Sequence, residues 1–160
     1  MRKILIALFT VGLLVGGSAF AQNMGTGSNM FGGVSFGVLT EGGAAVFPVA
    51  VHFGVSNVGM ENLAIRGDAA YWINGNAIEF GVDGLYMYPV MDNVTVYGGL
   101  GPRFLLGLGG GSAFGLGIVA GGEYMFTSQI GVTGEGTVEP YFSGGTGVLF
   151  GFSAGVNYHF

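Results

Sequence analysis

The chain has 160 residues, half of them apolar and only 8% charged, with nine acids against four basic residues and no cysteine. So little charge excludes an ordinary water-soluble surface, and the shortage of cations excludes a nucleic-acid binder, which must neutralise phosphates. Without cysteine there is no disulfide framework, and with only His52 and His159 as imidazoles no metal or other cofactor site is expected.

Residues 1–21 read as a cleavable signal peptide, leaving 22–160 as a single mature domain. Met1-Arg2-Lys3 supplies the positive start, Ile4 to Gly17 carries no charge, and Ala19-Phe20-Ala21 is a small-x-small cleavage pattern. The apolar stretch is too short to cross a hydrocarbon layer of about 30 Å as a helix. An uncleaved anchor is the competing reading. After cleavage only Arg66 and Arg103 remain basic.

From there on the pattern is period two, the signature of strands with opposite faces. Val34, Phe36 and Val38 alternate with Ser35 and Gly37, and Phe47, Val49, Val51, Phe53 and Val55 alternate with Ala50, His52 and Gly54. Leu63, Ile65, Ala69 and Tyr71 alternate with Arg66, Asp68 and Trp72; Ile78, Phe80, Val82, Tyr86 and Tyr88 alternate with Glu79 and Asp83. Val94, Val96, Leu100, Phe104 and Leu106 alternate with Thr95, Tyr97 and Arg103. Leu116, Ile118, Tyr124 and Phe126 alternate with Gly117, Gly121 and Glu123, and Ile130, Val132 and Val138 alternate with Thr133, Glu135, Thr137 and Glu139. The last run sets Val148, Phe150, Phe152, Ala154, Val156, Tyr158 and Phe160 against Leu149, Gly151, Ser153, Gly155, Asn157 and His159.

Turn residues separate these eight segments: Glu41-Gly42-Gly43, Ser56 to Asn62, Asn74-Gly75-Asn76, Met91-Asp92-Asn93, Gly109 to Ser112, Ser128-Gln129 and Ser143-Gly144-Gly145. Asn74-Gly75 is a hairpin signal. Phe104 to Gly122, nineteen residues without a charge, could be a membrane helix on length alone, but eight of them are Gly. Each interior Gly costs a helix about 1 kcal/mol against Ala, so two strands around Gly109-Gly110-Gly111 fit better. The expected fold is all-β, an antiparallel up-and-down eight-stranded transmembrane β-barrel.

With both termini on the periplasmic side, Tyr86, Tyr88, Tyr124, Phe126, Tyr158 and Phe160 gather at the inner ends of the strands. Phe47, Tyr71, Phe80, Phe104, Phe114, Phe142 and Phe150 gather toward the outer ends. Two aromatic belts mark the two interfaces of such a barrel. The leader, the alternation and the Val156/Tyr158/Phe160 terminus resemble the small OmpA/OmpX-type outer-membrane barrels. The resemblance implies a place in the bacterial outer membrane, contact with its lipids, a monomer, and a C-terminal signal at Val156, Tyr158 and Phe160 for the barrel assembly machinery. It departs from that family in its short outer turns.

Every charge within a strand falls on the lumen side: Arg66, Asp68, Glu79, Asp83, Arg103, Glu123, Glu135 and Glu139. An eight-stranded barrel is just wide enough to be filled by its own side chains, so these are expected to form an Arg-carboxylate plug. In height, Arg103 falls with Glu79 and Glu139 in the outer half and Arg66 falls nearer Glu123. Asp68, Asp83 and Glu135 come at mid-height. Six acids against two arginines leave carboxylates without a cation, which favours a narrow cation-preferring path as the alternative.

Enzyme motifs are weak. Gly151-Phe152-Ser153-Ala154-Gly155 has the spacing of a nucleophile elbow but lies within a strand pattern, without the strand-turn-helix it needs. Gly115-x-Gly117-x-x-Ala120 lacks a βαβ unit. His52 and Ser56 share a face without an obvious acid. No catalytic residue is assigned, and the expected role is structural maintenance of the envelope.

Overall fold

The computed structural model describes residues 29–143 and 147–160; the expected leader and part of the last outer turn lie outside them. Nine strand segments follow one another: β1 (Asn29–Glu41), β2 (Ala44–Val46), β3 (Pro48–Ser56), β4 (Leu63–Trp72), β5 (Ala77–Met91), β6 (Val94–Gly107), β7 (Ser112–Met125), β8 (Ile130–Tyr141) and β9 (Gly147–His159). β1 pairs antiparallel with both β2 and β3, each segment from β3 on pairs antiparallel with the next, and β1 also pairs with β9, from Phe31↔His159 to Thr40↔Phe150. The sheet is therefore closed. β2 and β3 are one stave interrupted at Phe47, which makes a barrel of eight strands.

The interruption has a local cause. Pro48 has no N–H to give to a ladder, and the Phe47 N–H is taken at 3.0 Å by Oδ1 of Asn74 on the next outer turn. The Asn74 Nδ2 donates to the Ala45 carbonyl at 2.7 Å, so one side chain ties two outer hairpins together. In that turn the left-handed residue is Asn76, with φ 47°. The first outer turn is a two-residue loop with both φ values positive, Gly42 at 55° and Gly43 at 92°, between paired Glu41 and Ala44. The uncharged run from Phe104 to Gly122 is the β6–β7 hairpin.

The period-two pattern sorts the two faces. The outward set is exposed and apolar, including Leu100, Ile118 and Val156 at mid-wall. The inner and outer aromatic sets named above are also exposed. Most buried residues lie in the lumen; Met30, on the outward phase of β1, is an exception. Leu39, Ala70, Trp72, Ala77, Tyr141 and Leu149 form an apolar cluster toward the outer end. Phe31, Ala64, Leu85, Tyr97 and Val119 form another in the inner half. Arg66, Asp83, Glu135 and Arg103 occupy the space between, while Glu123 lies among the inner cluster beside His159.

Close packing of the wall sets a testable limit. A Cβ added at Gly101 on β6 would run into the Val82 carbonyl group of β5, with the carbonyl carbon at 2.6 Å, whereas at Gly67 the nearest atoms are 4.0 Å away. Gly101→Ala is expected to abolish the compact band that folded barrels show on unheated gels, and Gly67→Ala to retain it.

Candidate functional site

Arg66 on β4 and Asp83 on β5 are direct cross-strand partners, so alternation alone brings their side chains together inside the barrel. Nη2 of Arg66 donates to Oδ2 of Asp83 at 2.8 Å. Nη1 donates to Oε2 of Glu135 at 2.6 Å, and Nη2 also reaches Oε1 of Glu135 at 3.2 Å. Because β4 and β8 stand on opposite sides of the closed sheet, the Arg66–Glu135 pair spans the lumen from wall to wall. Arg66 also lies over the Tyr97 ring, 6.0 Å from its centroid.

Asp83 is held from the other side as well. Arg103 on β6 donates from Nη1 to its Oδ1 at 2.7 Å and from Nη2 to its Oδ2 at 3.1 Å. Asp83 is 0% exposed, clamped by both arginines. Arg103 has three further acidic neighbours: Glu79 and Glu139 at 3.8 Å and Asp68 at 3.9 Å. Glu79 accepts a hydrogen bond from the Tyr141 hydroxyl across the lumen at 2.7 Å. A Cβ on Gly117 would sit 2.5–2.6 Å from the Arg103 guanidinium atoms, so glycine at that wall position makes the space the cation fills.

Glu123 corrects the expected heights. It is not a partner of Arg66. The arginine reaches Asp83 and Glu135, because strands in a barrel are tilted and staggered and equal counts from strand ends do not mean equal depth. Glu123 Oε1 instead accepts from Nδ2 of Asn157 at 2.8 Å and lies 2.9 Å from Nε2 of His159. Asn157 Oδ1 is in turn 2.6 Å from Nε2 of His52. The line His52–Asn157–Glu123–His159 crosses the inner half of the lumen, passing over Gly33, where a Cβ would collide with both His52 and Asn157.

Reading charges alone missed His52, Tyr97, Tyr141, Asn157 and His159 as members of this interior. The signal was present, since each sits on the lumen phase of its strand. Ser153 and the glycines around it lie within β9, paired on both sides with β1 and β8, and Gly115 to Ala120 lie within β7. The C-terminal set faces outward: Val156, Tyr158 and Phe160 are exposed. Phe160 nevertheless helps to close the seam. Its ring lies 6.5 Å from Phe53 and 5.1 Å from Tyr158, and its N–H donates to the Met30 carbonyl at 3.0 Å.

No protein-family model and no curated sequence matches the chain. Solved structures do. Neisserial surface protein A superimposes with a TM-score of 0.65 at 17% identity, over 83% of this chain and 97% of that one. The outer membrane protein OprG from Pseudomonas aeruginosa gives 0.60 at 11%, over 84% and 96%. Ail, the attachment invasion locus protein of Yersinia pestis, gives 0.57 at 14%, over 83% and 97%. The likeness is one of fold. That fold, with an apolar jacket outside and charges inside, is a closed eight-stranded β-barrel of the outer-membrane type.

The clamp predicts a stability hierarchy. Arg103→Met removes the only cation that, among the described residues, lies within 4 Å of Asp68, Glu79 and Glu139 and is expected to cost at least about 3 kcal/mol. Urea unfolding in lipid vesicles, followed by the fluorescence of the single tryptophan, Trp72, measures it. An unchanged midpoint would contradict the burial of this cluster.

Proposed function

We propose that this protein is a structural element of the outer membrane, a monomeric barrel whose lumen is closed to solutes and whose role is to maintain the envelope. The observation that carries the reading is the clamped Asp83, fully buried between two arginines and bracketed by apolar layers toward both ends of the lumen. A solute crossing the lumen at this height would have to break Arg66 from Glu135 or Asp83. Breaking a buried ion pair by removing one partner costs about 3–5 kcal/mol. Its short turns suit such a role: the described outer loops are small hairpins that present no large binding surface.

A cation-preferring path is the second reading. It is favoured by the excess of lumenal acids and by a cavity of about 90 Å³ whose lining includes Ser35, Thr133, Ser153, Arg66, Glu135 and Glu139. Lipid-modifying catalysis ranks below both, because His52 is buried and engaged with Asn157, away from the lipid face.

Planar-bilayer recording separates the first two readings. Refolded protein shown to be compact by its gel shift is expected to give no conductance steps. Reproducible steps with cation preference in a KCl gradient, reduced by Glu135→Gln, would overturn the closed-lumen proposal.

We further propose that the outward-facing Val156, Tyr158 and Phe160 are read by the barrel assembly machinery. Deleting Phe160 is then expected to reduce assembly in cells several-fold more than refolding in detergent micelles. Equal losses in both would assign the residue to seam packing alone.

A further inference from the structure

An inserted barrel meets a layer of lipid headgroups at each rim, and the charges on the rim decide which headgroups suit it. A lysine or arginine there would meet lipid phosphates. Among the described residues the only such cations are Arg66 and Arg103, and both are buried in the lumen and committed to carboxylates. The fully exposed charges among the described residues are all acidic: Glu41 at the outer rim, and Glu61 and Asp92 at the inner rim.

The two inner acids stand in neighbouring turns whose backbones are fixed. Glu61 belongs to the β3–β4 turn, where Asn57 and Asn62 adopt left-handed φ values of 59° and 67° and Asn57 Oδ1 accepts from the Asn62 N–H at 3.1 Å. Asp92 and Asn93 form the β5–β6 turn between paired Met91 and Val94. Because β4 pairs with β5, the two turns lie side by side in one sector of the rim. Each is fastened to the next stave: the Met87 N–H donates to the Asn62 carbonyl at 2.8 Å and the Met125 N–H to the Asn93 carbonyl at 2.8 Å. Among the described residues no ion pair uses either carboxylate. An exposed tyrosine follows each turn into the wall. Tyr86 is in register with Leu63, just after the Glu61 turn, and Tyr124 is in register with Val94, just after the Asp92 turn. Interfacial tyrosines lie at headgroup depth, so each turn offers a carboxylate at the water side of that layer and a phenol within it.

We propose that this sector of the inner rim binds phospholipids with a primary ammonium headgroup, the phosphatidylethanolamine class. The ammonium N–H groups donate to Glu61 and Asp92, charge-assisted bonds that a quaternary choline headgroup cannot make. The lipid phosphate accepts from the Tyr86 and Tyr124 hydroxyls, which take the place of a lysine or arginine. An anionic headgroup such as phosphatidylglycerol brings no ammonium and is repelled by both acids. This pairing goes beyond the closed-lumen reading and does not depend on it.

The test refolds the mature barrel into vesicles with identical acyl chains, made of phosphatidylcholine alone or of its equal mixture with phosphatidylethanolamine or phosphatidylglycerol. The urea midpoint is read from Trp72 fluorescence at neutral pH and low salt, for the native chain and for the Glu61→Gln/Asp92→Asn variant, with the gel shift verifying that both fold. A headgroup bound only by the folded barrel raises the midpoint. The native chain should gain at least about 0.3 M urea from phosphatidylethanolamine over phosphatidylcholine alone, and the variant should lose that gain. A gain of equal size in both chains would assign it to the bilayer and overturn the proposal. No gain in the native chain would overturn it as well, and a lowered midpoint in phosphatidylglycerol alone would then reduce the rim to charge repulsion. Conductance steps would contradict the closed lumen and leave these midpoints unchanged.

Discussion

In hydrocarbon every backbone N–H and C=O must find its partner within the protein, and here that requirement is met by the pairing of β1 with β9. Ten consecutive register pairs join the first strand to the last, and Phe160 fastens the inner end of the seam through Met30 and Phe53. Closure has a second consequence. With one face of every strand committed to lipid, the charged side chains within the strands are forced onto the other, and eight strands leave them little room.

The interior answers that confinement with layers. Small residues at wall positions such as Gly33 and Gly117 let side chains from non-adjacent strands meet over them. Apolar clusters lie toward the outer end and in the inner half of the lumen. Between them, Arg66 and Arg103 share Asp83 and reach outward to carboxylates on β4, β5 and β8. A charge-assisted network of this kind is strong when its members are satisfied and costly where they are not. Around Arg103 the satisfaction is uneven: Asp83 is hydrogen-bonded to it, whereas Asp68, Glu79 and Glu139 stand 3.8–3.9 Å away.

The inner half is built differently. Glu123 is served by Asn157 and His159, neutral or switchable donors in place of arginine, and His52 closes the chain of contacts. The outer half therefore carries the concentrated acidic charge and the inner half a mixed hydrogen-bonded line, a polarity along the barrel axis that a count of charges does not reveal.

Much of this was legible in the sequence because a strand has an exact period of two. Alternation alone determined the eight strands, their lipid and lumen faces, the hairpin within the uncharged run from Phe104 to Gly122, and the inward phase of Arg66, Asp83, Arg103 and the other charges. It also determined the two aromatic belts, since phase and direction suffice to place them. What only the tertiary structure decided is which lumenal groups meet. Arg66 and Glu135 are 69 residues apart on opposite walls, and Glu123 finds His159 and not Arg66, because strand tilt and stagger set depth only once the sheet has closed on itself. Alternation assigns a face to each side chain; the curvature that turns that face into a lumen assigns its partner.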